Sequence, residues 1–237
     1  MARENAFDLA SFELPSIDRE TTRTQPRKKS WRTRVVLTLL GLFTVVVLPF
    51  ALLIRTSVYL YASRDVPTWL SLGGGALATM ILLTLCAAWV SKKLSGRARA
   101  KWLASRIVLP VVLAYCLYSL LYLSSVNAKG PEVRAYYRSL HPVLRVAVST
   151  MILVDRDMVV TDVQRNREDY QAMGLAVNEA SLHYEQSDGF VHAVDLRTIG
   201  RGWWRNWTVE GYFRAMGFHT LRHRGTEDHL HVSLPVH

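Results

Sequence analysis

Cysteine is scarce in this chain. There are two in 237 residues, Cys86 and Cys116, and both sit inside long apolar runs. None follows residue 116, so the last half of the chain has no internal disulfide and no thiolate to offer a metal. A metal site there has to be built from histidine and carboxylate. Histidine is missing from the other end, since none of the eight precedes His141. Charge is missing from residues 35–54, 66–90 and 107–125. Acid is missing from the loop 91–106, which holds six Lys and Arg. Internal repeats are missing too, which excludes a solenoid.

Each uncharged run is long enough to cross a hydrocarbon layer of about 30 Å. Three such runs in one short chain read as membrane spans rather than buried core helices. Gly73, Gly74 and Gly75 fall in the second run, where small residues let helices approach closely. Pro110 stands near the start of the third, where a helix accepts proline. With no charge inside the spans, an ion or proton path through them is not indicated.

The charge that is present sets the orientation. Residues 1–124 carry 16 Lys and Arg against 6 Asp and Glu, and residues 125–237 carry 13 of each. The basic character therefore belongs to the membrane half. Eight of the basic residues lie in 1–34 and six in 91–106, while the loop 55–65 has only Arg55 and Arg64. The positive-inside rule puts the N-terminus and the 91–106 loop in the cytoplasm and delivers 126–237 outside the membrane. Segment 1–34 is too long and polar for the start of a cleavable signal and is expected to be disordered. Its basic end is expected to fix topology or touch anionic lipid, and no nucleic acid partner is expected.

Residues 126–237 are enough for a small core. An apolar stripe from Val133 to Val148 predicts one helix over 131–153. Residues 158–163 and 191–196 read as strands, and 164–182 as loop with one helical turn. Asn206 or Thr208 is a candidate cap for a helix ending at Gly217, and 218–223 and 229–234 read as a closing pair of strands. The order predicts an α+β domain with a small antiparallel sheet, following three transmembrane helices. Trp203, Trp204 and Trp207 form an aromatic cluster that suits a substrate groove, the membrane surface or the core.

The chemistry is concentrated late. His229 and His231 are two apart on a predicted strand, so both rings face one side. His183 precedes a loop, and Asp195 ends a strand. Three such ligands leave a fourth position for water, the arrangement of a catalytic zinc. His192 is a competing first ligand, although on a strand it would face away from Asp195. His141, His219, His223 and His237 read as scattered core or surface histidines.

The pattern Ser181-Leu182-His183, Ala193-Val194-Asp195 and His229-Leu230-His231 resembles the zinc peptidase superfamily of lysostaphin-type enzymes, D-alanyl-D-alanine carboxypeptidases and the Hedgehog signalling domain. The likeness covers about 100 residues. It implies zinc on His183, Asp195 and His231, with His229 lining the site and Asp228 or Glu227 as the base. It implies that Arg165 and Arg167 grip a substrate carboxylate, since arginine holds carboxylates with two prongs. The substrate implied is the peptide part of bacterial cell wall, cut by a membrane-anchored carboxypeptidase or endopeptidase. A Hedgehog-like domain that keeps zinc for recognition alone is the other implication. The His183 to Asp195 spacing of twelve is longer than is usual in the family, with extra residues in Gln186–Val191.

Overall fold

The computed structural model describes residues 30–235, apart from 173, 175, 226 and 227. The segment expected to be disordered lies outside the described residues up to residue 29. The chain forms two compact units, residues 1–38 and 39–237. In the first, only the start of helix α1 is described.

Helix α1 covers Trp31–Val46 and α2 covers Leu48–Arg64. The first apolar run thus breaks at Val47, because Pro49 in the first turn of α2 has no N–H to continue the ladder. Helix α2 outlasts its apolar run and stops at Asp65, which takes φ 51°. Helix α3, Thr68–Ser95, starts after Pro67 and ends at Gly96, φ 70°. It folds back on α2. A Cβ on Gly75 would lie 2.3 Å from the Leu53 carbonyl oxygen and 2.2 Å from Ser57 Oγ, so only glycine allows this approach.

Helix α4, Ala100–Leu103, runs through a π turn at Ala104–Val108 into α5, Leu109–Leu121. The wider turn comes just before Pro110 and absorbs the missing donor. Among the described residues, Thr68–Ser95 and Ala100–Leu121 are each long and apolar enough to cross a membrane. Helices α1 and α2 make a third span if the broken pair counts as one. This is the pattern of a membrane protein. The third apolar run leaves the helix early, since Tyr122 is already extended.

The helix expected over 131–153 is in fact three pieces. Helix α6 covers Pro131–Ala135, a 3-10 turn covers Tyr136–Ser139, and α7 covers Pro142–Val154. The cause is Pro142, which drives His141 to φ −52°, ψ 133° and so interrupts the helix. Strand β1 is Val160–Asp162, α8 is Arg167–Ala172, and β2 is Ala193–Arg197. Helix α9, Trp203–Met216, begins earlier than expected, with Gly202 at its cap. Asn206 does not cap it; its amide donates to the Thr198 carbonyl from inside the first turn. Gly217 does end it, at φ 97°. Strands β3, His219–His223, and β4, His229–Ser233, close the fold.

The four strands form one antiparallel sheet in the order β1-β2-β4-β3. Alternation divides it cleanly. Val194, Leu196, Leu230 and Val232 are buried and join the core, while Asp195, Arg197, His229 and His231 occupy the other face. That core also takes in Leu53, Ile54 and Val58 of α2 and Val112 and Cys116 of α5. Between them lies α7, buried at every residue from Pro142 to Met151. Residues after the third apolar helix and the ends of the span helices therefore share one core.

Candidate metal centre

The β2–β4 ladder sets Asp195 opposite His231 and Arg197 opposite His229. Opposed residues of a ladder point to the same face, so four polar side chains gather above the centre of the sheet. His183 arrives from a loop that is tied down at three points. Its carbonyl accepts from Arg165 N–H, the Leu182 carbonyl accepts from His192 N–H, and its Nδ1–H donates to the Val163 carbonyl at 2.7 Å.

That last bond decides the tautomer. With Nδ1 carrying the proton, neutral His183 presents a bare lone pair at Nε2. Nε2 lies 3.2 Å from His231 Nδ1 and 3.2 Å from Asp195 Oδ1, and His231 Nδ1 lies 2.9 Å from the same oxygen. These three ligand atoms form a nearly equilateral triangle. Donors at 2.0–2.1 Å from a tetrahedral zinc stand about 3.3 Å apart, so the triangle fits one face of that tetrahedron. The chemistry fits as well: two imidazoles and one carboxylate are a common zinc set.

Around the triangle, Arg165 holds two carboxylates together. Its Nε–H donates to Asp162 Oδ2 at 2.6 Å and its Nη2–H to Asp195 Oδ2 at 3.2 Å. Asp162 and Asp195 are cross-strand partners, and the guanidinium relieves their repulsion. Burial alone would raise the Asp195 carboxyl, but the imidazoles of His183 and His231 outweigh it and hold it well below the usual range. Burial alone would lower His183, but Asp195 and the Val163 carbonyl outweigh it and raise it. The Asp195 carboxylate is thus kept ionised, as a ligand must be.

The other candidates differ in how near they come to this triangle. His229 Nε2 is 3.6 Å from Asp195 Oδ2, at the edge of the triangle. Its ring stacks on His223 at 4.7 Å between centroids. His223, read from the sequence as a scattered histidine, therefore shares the polar face. Asp228 accepts from Thr198 Oγ1–H at 2.6 Å and pairs with Arg222, which hold its carboxyl below the usual range. Glu227 lies outside the described residues. Arg167 is exposed and pairs with Glu179, away from the triangle, while Arg165 spends its prongs on Asp162 and Asp195. A cleft of about 970 Å³ opens beside the centre, with Asp195, His229, Asp228, Arg165 and Arg197 in its walls.

Comparison with known proteins finds no match to a family model, a curated protein or a solved structure.

His192, the competing ligand, belongs to a different cluster. Its Nε2–H donates to Asp188, at 3.0 Å from Oδ1, and Asp188 also accepts from Thr68 and Tyr61. His141 Nε2 sits 3.1 Å from Thr68 Oγ1 and 3.7 Å from Asp188 Oδ2. These three groups are close enough together to hold an ion. The tautomer argues otherwise: His141 Nδ1 already accepts from Val143 N–H, so a neutral ring has its proton on Nε2 and no lone pair there to give. Asp188 sits in the insertion between His183 and Asp195. The insertion reaches back to the tops of α2 and α3 and leaves the triangle intact.

Proposed function

We propose that the chain is a membrane-anchored, outward-facing zinc hydrolase that cleaves an amide or peptide bond, with the peptide part of the cell wall as substrate. The observation that carries this reading is the triangle of His183 Nε2, His231 Nδ1 and Asp195 Oδ1, with edges of 2.9–3.2 Å, beside an open cleft. Zinc bound there would polarise a carbonyl and acidify water.

The protein's own residues have separate tasks in this reading. His183 and His231 supply neutral nitrogen donors, and Asp195 supplies the charge. Arg165 fixes the Asp195 carboxylate while leaving Oδ1 to the triangle. His229 stands at the cleft wall, where its Nε2 can hold or pass a proton. Asp228 is within the same cleft but is already pinned by Thr198 and Arg222.

That pinned carboxylate favours a second reading. A domain that keeps zinc and recognises a partner without hydrolysis needs no free base. The two readings separate in one experiment on the full chain in detergent. Elemental mass spectrometry should find about one zinc per chain, lost in His183→Ala and His231→Ala and kept in His192→Ala. A folded chain that takes up no zinc ends both readings. Zinc without any cleavage of wall peptides, at a range of pH, ends the first and leaves the second.

A further inference from the structure

Three tryptophans on α9 have no place in the core. Trp203 is 78% exposed, Trp207 71%, and Trp204 is exposed as well. Val154 at the end of α7 is 77% exposed, and Val126 and Leu153 are also exposed. These residues converge on one edge. Arg201 and Arg205 of the α9 entry both bind Asp155, the residue after α7. Asn127, next to Val126, donates to the carbonyls of Arg156 and Met158.

The depth of this edge follows from what α7 and α9 touch. Helix α7 begins where His141 meets Thr68, the first residue of α3. It then runs back along α5. Arg145 donates to the Leu120 carbonyl near the end of α5, and Thr150 meets Tyr115 at 2.5 Å. Tyr115 is five residues before Leu120, about 8 Å further down the span. Val154 is one more turn along. Helix α9 agrees, since Gly217 at its end lies against Arg55 and Val58, well before the end of α2. The tryptophan edge is therefore level with the outer part of the spans, not above them.

We infer that this edge, Trp203, Trp204 and Trp207 with Val126, Leu153 and Val154, is seated in the lipid interface of the outer leaflet. Its chemistry is that of an interface. Indole has an apolar body and one N–H, and tryptophan and tyrosine collect at the headgroup level. Tyr118 and Tyr122, with ring centroids 5.3 Å apart on the exposed side at the end of α5, continue the same aromatic band on a span. Arg156, exposed on the same edge, is placed to meet lipid phosphate. The edge also adjoins the cleft, whose wall includes Lys129 and Ile199, two residues from Asn127 and Arg201. The cleft therefore opens beside the bilayer, within reach of a peptide carried at the membrane surface.

This inference rests on the membrane reading of the spans and not on zinc. Its test uses the full chain with Cys86→Ala and Cys116→Ala and single cysteines at 203, 207 or 221. Each carries an environment-sensitive nitrobenzoxadiazole dye, in vesicles of phosphatidylcholine and phosphatidylglycerol. Dyes at 203 and 207 should emit to the blue of the one at 221 and be quenched by lipids nitroxide-labelled near the headgroup. Leu221, exposed on β3, should stay aqueous. Hydroxyl-radical footprinting of the unsubstituted chain in the same vesicles gives an independent reading. There, Trp203 and Trp207 should be oxidised at least several-fold more slowly than in the unfolded chain. Aqueous emission with iodide quenching at 203 and 207, or oxidation at the unfolded rate, overturns the inference. That result would leave a protein partner as what covers this edge.

Discussion

Asp195 and His231 face each other across the central ladder, partners in register with Oδ1 and Nδ1 2.9 Å apart. Two of the three proposed ligand atoms are thus brought together by strand pairing. Asp195→Asn keeps the shape and removes the charge that draws a cation. Zinc affinity of the full chain, measured by competition with a chelator, should fall at least tenfold while the fold persists. Unchanged affinity would mean that the carboxylate is no ligand.

Arg165 pairs with Asp195, the proposed metal ligand, whereas the family likeness implied a grip on substrate. The two roles predict different losses. Arg165→Ala should weaken zinc binding about 10–100-fold, as is usual for partners that orient a ligand. Arg165→Lys should restore part of it, since one prong can still reach Asp195. If zinc binding is untouched and only KM for wall peptides rises, Arg165 serves the substrate instead.

Gly75 and Gly73 look alike in the sequence, two glycines in one apolar run. The structure separates them. A Cβ on Gly75 would strike the backbone of α2, while one on Gly73 would meet nothing within 4 Å. Gly75→Ala should destabilise the α2–α3 hairpin by about 1–3 kcal/mol through overpacking. Gly73→Ala should be neutral or slightly stabilising. Thermal melting of both variants in one detergent checks the contrast.

These cases show what the sequence could and could not carry. The strands around Asp195 and His231 were legible because their alternation puts both side chains on one face. His183 was legible as a residue, but the Val163 carbonyl that fixes its tautomer was not, because a backbone contact leaves no trace in residue type. Pro142 was in plain view, yet the apolar stripe ran through it and hid the break in the helix. The Gln186–Val191 insertion was visible as extra length. Its contacts with Tyr61 and Thr68 were not, since they join residues more than a hundred positions apart. The Tyr137 hydroxyl, shared among Ser119, Arg145 and Ser149, is hidden in the same way.

The shared core bears on how the protein is handled. Helix α7 is buried partly by α2, α3 and α5, which a fragment of residues 126–237 lacks. That fragment would lose the Leu120 carbonyl to which Arg145 donates and the Tyr115 hydroxyl that meets Thr150, and would uncover part of the apolar surface of α7. Expressed alone it should aggregate or bind a hydrophobic dye, while the full chain in detergent stays monodisperse. A soluble, cooperatively melting fragment would show that residues 126–237 hold their own core.

The cluster at the top of the hairpin predicts a pH dependence of stability. Burial pushes His141 down to about 3, so its ring stays neutral in the fold at pH 5, and burial also lowers His192. In the unfolded chain they titrate near 6.5. Between these values the unfolded state binds protons that the folded state refuses, so stability falls as pH falls below about 6.5. Asp188 works in the same direction lower down: burial would raise it, but His192 and the Phe190 N–H outweigh that and hold it below its usual value, so its contribution is lost as it protonates. From pH 7 to pH 5, His141 alone should cost about 2 kcal/mol, on the basis of 1.36 kcal/mol per pKa unit. Melting of the full chain at the two pH values should show the loss, and His141→Gln should shrink it, because a glutamine can donate to Thr68 without taking up a proton. An equal loss in His141→Gln would place the titrating group elsewhere.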